Sequence, residues 1–344
     1  GSQIFAEGSP TSPIIMTSRQ NVEGTTTVNS IGQWGGVVIN GRGPTTDGCP
    51  TGVTPPNIAC EAQVEGSNAF YGGNAPSDNS GRFRYVRVSF SGFTISANNE
   101  LNGITLAGVG SGTTFDHVQV HNSSDDGIEI FGGNVNIKNI VLTGNDDDSF
   151  DTDSGWRGAA QFGLVVQRDG GGDFAWETSS RGTNTTDFFT RPTYANWTIV
   201  MRAASTRDAV VHNTGHTARV FNSVFIHSGN HQCVNIANTV TLTNANGVGT
   251  NNAGVPPNNP ALGPYYRGNF FSCTGGVGDG GVSSTGNPDI PDADINTLLG
   301  DASNVSGTAE MTGTFINGTN VSAVTAVSFP TALNAGTGLN PANT

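Results

Sequence analysis

Leu101-Asn102-Gly103-Ile104-Thr105-Leu106, Asp125-Asp126-Gly127-Ile128-Glu129-Ile130 and Asp147-Asp148-Ser149-Phe150-Asp151-Thr152 are three versions of one phrase. Aligned on their apolar residues, Ile104, Ile128, Phe150 and then Phe174 stand 24, 22 and 24 residues apart. A second column, Val118, Ile140 and Leu164, keeps the same beat at 22 and 24 residues. Two columns sharing a period define an internal repeat, and periods of roughly 20 to 50 residues mark solenoids, whose units bury their apolar faces only against their neighbours.

The repeated unit is built of strands. Its apolar runs are short, alternate with period two, draw on Val, Ile and Phe, and are bounded by Gly, Asn and Asp, which is strand patterning. The spacing of a leucine-rich repeat is absent, so the fold class is all-β: a parallel β-helix with coils of 22–24 residues and lateral loop insertions. Outward from the core stretch, Val86 precedes Val118 by 32 residues, a coil carrying extra loop; Val210 and Val234 extend the first column, Trp197 and Val224 the second. Residues 3–40 read as early coils, and the turn-rich residues 41–80, with Cys49 and Cys60, as a lateral insertion. Residues 240–295 read as a long flank loop anchored by Tyr265-Tyr266 and Phe270-Phe271, and residues 301–344 as a β-rich tail containing Gly313–Ile316 and Val324–Phe329. One domain spanning residues 1–344 is expected.

Composition narrows the function. Forty-nine glycines, a single lysine (Lys138) and 12% charged residues fit a turn-rich β protein. A net charge of −13 argues against nucleic acid and anionic membranes, which need a basic face, and suits cations. Arg82, Arg84 and Arg87 are the only close basic cluster; they alternate along a strand and read as a solvated face. No apolar run approaches the roughly 20 residues of a membrane helix. Cys49, Cys60, Cys233 and Cys273 form no Cys-x-x-Cys pair and no zinc pattern with histidine. Local disulfides Cys49–Cys60 and Cys233–Cys273 are expected, implying an oxidising, extracellular setting. The chain opens at Gly1-Ser2 without Met, which reads as a processed or trimmed start. Neither end offers an obvious polar cap for an open coil, so the ends are expected to meet neighbouring copies in a head-to-tail homo-oligomer or filament.

The repeat also stacks carboxylates. In register, Asp125 lies by Asp147, Asp126 by Asp148 and Glu129 by Asp151, with Asp146 and Asp153 flanking. Adjacent strands are about 4.8 Å apart, close enough for like charges to repel. Turn N–H groups can offset this; so can calcium, which takes six to eight oxygen ligands in irregular geometry, with Asp125, Asp126, Asp146, Asp147, Asp148 and Asp151 as candidate ligands. The catalytic alternative is Glu129 with Asp151, since paired carboxylates about 5 to 9.5 Å apart hydrolyse glycosides. A lyase would also need a Lys or Arg base: Lys138 lies in a different strand, and Arg157 and Arg168 are nearer in sequence without a geometry that the repeat fixes. Trp156, in Ser-Gly-Trp-Arg-Gly, is the expected exposed ring for a carbohydrate, whereas Trp176 and Trp197 read as packing residues. His117, His121, His212, His216, His227 and His231 read as exposed or turn residues, and Gly108-Val109-Gly110-Ser111-Gly112 as a turn.

Trp34-Gly35-Gly36-Val37-Val38-Ile39-Asn40-Gly41, Asn99-Glu100-Leu101-Asn102-Gly103-Ile104-Thr105-Leu106, Ser124-Asp125-Asp126-Gly127-Ile128-Glu129 and Gly144-Asn145-Asp146-Asp147-Asp148-Ser149 together resemble uncharacterised bacterial cell-surface β-helix lipoproteins, over roughly residues 1–235. The resemblance implies a right-handed parallel β-helix of the pectate-lyase-like superfold on an exported protein, and carries no known activity with it. The expected function is an extracellular or cell-surface structural or binding protein, stabilised by calcium. The alternative is a calcium-dependent polysaccharide lyase or glycoside hydrolase, or a carbohydrate-binding surface protein.

Overall fold

The computed structural model describes residues 2–66, 68–96, 99–180, 188–237, 241, 264–279, 292–308, 311–312 and 315–316. They form a right-handed parallel β-helix. One sheet has 8 strands in the order 278–279, 234–236, 210–212, 176–178, 150–153, 128–131, 104–107, 37–40, each parallel to its neighbour. The other has 12 strands and begins with Ile4–Glu7 and Ile14–Thr17 side by side on Gly81–Ser89. It continues through Thr114–His121, Ile137–Thr143, Ala159–Val166 and Thr193–Met201.

A corner inside the longer strands turns this second sheet into two walls. Tyr85, His117, Asn139, Phe162, Asn196 and Asn222 stack in one column with φ between 50° and 60°. One residue in the left-handed conformation swings the strand without breaking the ladder. Asn tolerates that region better than other side chains, which explains why it recurs there. Similar columns stand at the two sheet ends, Gly108, Gly132 and Ser154 at one and Phe90, Asn122 and Gly144 at the other. Asn139→Ala is expected to cost about 1 kcal/mol, from the left-handed penalty, and Asn139→Gly almost nothing; paired urea melts check the difference.

The stacked interior is aromatic. Phe83 lies over Phe115 with ring centres 5.3 Å apart and planes 6° from parallel. Further along, Phe150, Trp156, Trp176, Tyr194, Trp197 and Phe225 form one cluster, all 1% exposed or less. Register corrects two expectations. The first column runs Val37, Ile104, Ile128, Phe150, Trp176, Val210, Val234, so Trp176 and not Phe174 continues it. The loop at Asp169-Gly170-Gly171-Gly172 lengthens that coil and displaces the beat. In the second column Gly163, not Leu164, lies beside Ile140, and Trp197 beside Gly163. A Cβ on Gly163 would meet the Trp197 indole at 2.1 Å, so the missing side chain is what admits the ring. Val224 pairs with Thr198, and Phe225 is the inward residue.

Tyr265–Arg267 and Phe270–Cys273 are strands of the long sheet and not anchors of a loop; they pair with Arg219–Phe221 and Val224–His227. The rest of the expected flank loop lies outside the described residues, apart from 241, 264, 268–269, 274–279 and 292–295. Val324–Phe329 and most of the expected tail lie outside them as well; Met311–Thr312 and Phe315–Ile316 form an antiparallel pair. The short helix α1 (Arg19–Val22) is capped by Ser18, whose hydroxyl accepts from the Asn21 N–H. Helix α2 (Asp292–Leu299) corrects the expectation of an uncapped stack: Ile295, Leu298 and Leu299 are buried in the main core beside Gly278. Their i, i+3, i+4 spacing is an amphipathic stripe. At the opposite end Ile4, Ile14, Met16, Trp34 and Val37 are only partly buried. Both expected disulfides, Cys49–Cys60 and Cys233–Cys273, are formed.

Candidate functional site

Alternation on the eight-stranded sheet decides where the carboxylates go. Ile128 and Ile130 are fully buried in the core, so Glu129 between them projects from the outer face, and Asp151 does the same between Phe150 and Thr152. Glu129 pairs with Asp151, and Asp151 with Glu177 on the next coil. Over this face lies a ribbon of residues 62–63 and 70–71. Its Val64 and Tyr71 pack on Ala107, with Ala62 and Phe131 alongside, and the Tyr71 hydroxyl donates to Asp47 Oδ2 at 2.6 Å. Beneath the ribbon Glu129 is 9% and Asp151 3% exposed.

The enclosed cleft has a volume of about 460 Å³. Asp125, Asp126, Glu129, Asp147, Asp148, Asp151 and Glu177 line its floor, and Asp47, Glu65 and Glu100 its rim; no lysine or arginine is among its described lining residues. Three interlocking groups hold ligand oxygens within 4.8 Å of one another: Asp125 with Asp126 and Asp147, Asp126 with Glu129 and Asp151, and Asp147 with Asp148 and Asp173. Asp146, also expected among the ligands, is outside these groups. Its side chain turns to Arg168, 3.1 Å away, and Asp173 from the following coil takes the corresponding place.

Part of the ladder serves the backbone. Asp126 Oδ1 accepts from the Asp148 N–H at 3.1 Å, and Asp148 Oδ1 from the Phe174 N–H at 2.6 Å. Asn102 donates through Nδ2 to Glu129 Oε2 at 2.5 Å and to Thr105 Oγ1 at 3.1 Å. Its buried Oδ1 has no hydrogen-bond partner among the described residues.

Residues 1–256 match a family model described as a pectate-lyase like beta helix domain. The chain belongs to this family. No curated protein and no solved structure matched the sequence. For this pectate-lyase-like β-helix, two disulfides and an exported type of fold fit an extracellular protein. No helix among the described residues is long and apolar enough to cross a membrane.

The cleft of the pectate-lyase-like β-helix disfavours ionised carboxyls. Burial, then the Asp147 and Glu100 charges, raise Asp125 to about 7. Burial, then Asp173 and Glu177, raise the more exposed Asp147 to about 6. Asp126 and Asp148 stand well above the usual carboxylate range, first through burial and then through Asp148 and Glu177 respectively. Farther along the same face a second cleft of about 480 Å³ joins at Glu177. There Arg207 pairs with Asp173, and His231 approaches Asp208 at 3.9 Å.

Two sequence readings fail at the side-chain level. Trp156 is 0% exposed: its ring packs on Phe150 and Tyr194 and its Nε1 donates to Val135 O at 3.1 Å, so it offers no sugar platform. His212 and His216 are fully buried, their Nδ1 atoms 3.2 Å apart, and His212 Nε2 meets the Tyr266 hydroxyl at 2.5 Å. Burial lowers both, His212 to about 3. His227 is also buried, at 1% exposure. Glu177 was missed because the column was placed on Phe174; counted from Trp176, the motif Trp-Glu-Thr repeats Ile128-Glu129-Ile130.

Proposed function

We propose that this β-helix is an extracellular, cell-surface binding protein whose acidic cleft holds calcium. The three interlocking carboxylate groups carry the reading. Two like charges about 4.8 Å apart repel by roughly 1 kcal/mol in water and several times more near a protein surface. Backbone N–H groups reach one oxygen each of Asp126 and Asp148, which leaves most of the charge to be neutralised by protons or a cation. The donors are all oxygen and irregularly disposed, and the free Asn102 Oδ1 adds a neutral one, which suits calcium better than octahedral magnesium. Because the described lining of the cleft contains no lysine or arginine, an acidic polysaccharide would bind through the ion.

Calorimetry on chelator-treated protein tests this. Calcium should give saturable heat and raise the melting temperature, and Asp126→Asn, which removes one of the two members common to two groups, should abolish both. No heat together with no melting shift rejects the reading. The pairing of Glu129 with Asp151 favours one competitor, a polysaccharide-cleaving enzyme. Incubation with acidic and neutral polysaccharides plus calcium is expected to give no unsaturated products and no new reducing ends. Turnover lost in Glu129→Gln or Asp151→Asn would establish the enzyme instead.

A further inference from the structure

Arg157, Arg191 and Arg219 lie on three successive coils, at the corner that leads into the twelve-stranded sheet. Ala159 pairs with Thr193 and Thr193 with Arg219, so Arg157 and Arg191 occupy equivalent positions and Arg219 follows one coil on. Backbone hydrogen bonds hold the three segments in place: Arg157 N–H to Gly133 O, Arg191 N–H to Trp156 O, and Arg219 N–H to Pro192 O.

Their side chains meet only neutral partners among the described residues. The Arg157 guanidinium lies over the Phe188 ring, 3.7 Å from its centre, and its Nε donates to Phe189 O at 3.2 Å. Arg191 Nε donates to Thr217 Oγ1 at 3.2 Å, and Arg219 Nη2 to Arg191 O at 3.1 Å. The buried Nε of Arg219 has no acceptor among the described residues. A chain with 27 acidic and 14 basic residues has carboxylates to spare, yet among the described residues these three guanidinium groups pair with none. Burial, and next the neighbouring arginines, lower Arg157 and Arg219 to about 10. Each guanidinium carries five donors in a planar fork matched to oxyanions, and most of those donors are uncommitted here.

We propose that Arg157, Arg191 and Arg219 form a binding site for a tetrahedral oxyanion, sulfate or phosphate, taken up free or as an ester on a sugar. The anion relieves the mutual repulsion and supplies the acceptor that Arg219 Nε lacks. Phe188 fixes one wall of the site by holding Arg157 flat. The acidic cleft lies on the outer face of the other sheet, so the two sites attract opposite charges without cancelling.

Titration calorimetry on the full chain, in chloride buffer at constant ionic strength, tests the proposal with four probes: sodium sulfate, sodium phosphate, glucose 6-sulfate and glucose 6-phosphate. At least one should give saturable heat and raise the melting temperature. Arg191→Gln and Arg219→Gln should each weaken it about tenfold, the loss of one charge-assisted hydrogen bond. Arg157→Lys keeps the charge but loses the fork, and guards against a neutral variant that fails to fold; it should weaken binding less. Tighter binding of an ester identifies a modified glycan as the source, and tighter binding of the inorganic ion identifies the free anion. No saturable heat with any probe, or unchanged affinity in the variants, overturns the proposal.

Discussion

Trp176→Ala is expected to lower the unfolding free energy by about 3 to 5 kcal/mol, the range for truncating a large buried aromatic residue. Trp176 is fully buried, with ring centres 4.6 Å from Tyr194, 5.2 Å from Trp197 and 5.6 Å from Phe225. Those neighbours are held by parallel ladders on both sides, so the void cannot close by a local shift. Trp176→Phe should recover part of the loss. Urea unfolding followed by tryptophan fluorescence and by circular dichroism measures it. A change below about 1 kcal/mol would mean that the cavity collapses, which partial relaxation alone does not permit.

The second large effect concerns pH. Asp125, Asp126 and Asp148 bind their protons more tightly in the folded chain than in the unfolded one. A carboxyl raised in this way destabilises the fold when ionised, and the penalty lifts as pH falls through its folded value. Metal-free protein should therefore melt several degrees higher at about pH 6.5 than at about pH 8.5, a window whose lower edge is the ordinary histidine value. Asp125, at about 7, titrates within it. Below that window a second effect opposes the first. His212 and His216 stay neutral in the fold while unfolded histidine takes up a proton, so each subtracts stability as pH falls while the raised carboxyls continue to add it. Calcium should flatten the upper limb, because it stabilises the ionised carboxyls and is displaced by protons. Scanning calorimetry with chelator, then with calcium, reads both limbs. A chelated protein that melts lower at pH 6.5 than at 8.5 would show that the carboxyls are ionised without penalty.

Much of this architecture is visible in the chain because a parallel ladder places like residues side by side. Ile104, Ile128 and Phe150, and separately Glu129 with Asp151, follow from counting. Counting fails at the corners. Each corner spends a variable number of residues, as at Asp169 to Gly172, and a left-handed residue such as Phe162 interrupts the period-two alternation. One such interruption moved the inward position from Leu164 to Gly163 and hid its complementarity to Trp197. Trp156 fails for another reason. Its local sequence is that of an exposed turn, and its burial depends on Phe150 and Tyr194, one of them 38 positions away. The candidate cleft was half legible: its floor is periodic, but its roof comes from an insertion whose fold onto Ala107 no periodicity encodes.

Helix α2 gives the stack a direction. It packs Ile295, Leu298 and Leu299 into the core beside Gly278, while at the other end of the described ladder Ile4, Ile14, Met16, Trp34 and Val37 are only partly buried. Two identical open faces that meet produce a closed pair, since a self-complementary contact is used up once formed. Chain growth needs a donor face and a different acceptor face on every subunit. With α2 packed on one end, the two ends of the described ladder differ, and a contact between two first coils would be isologous and would not propagate.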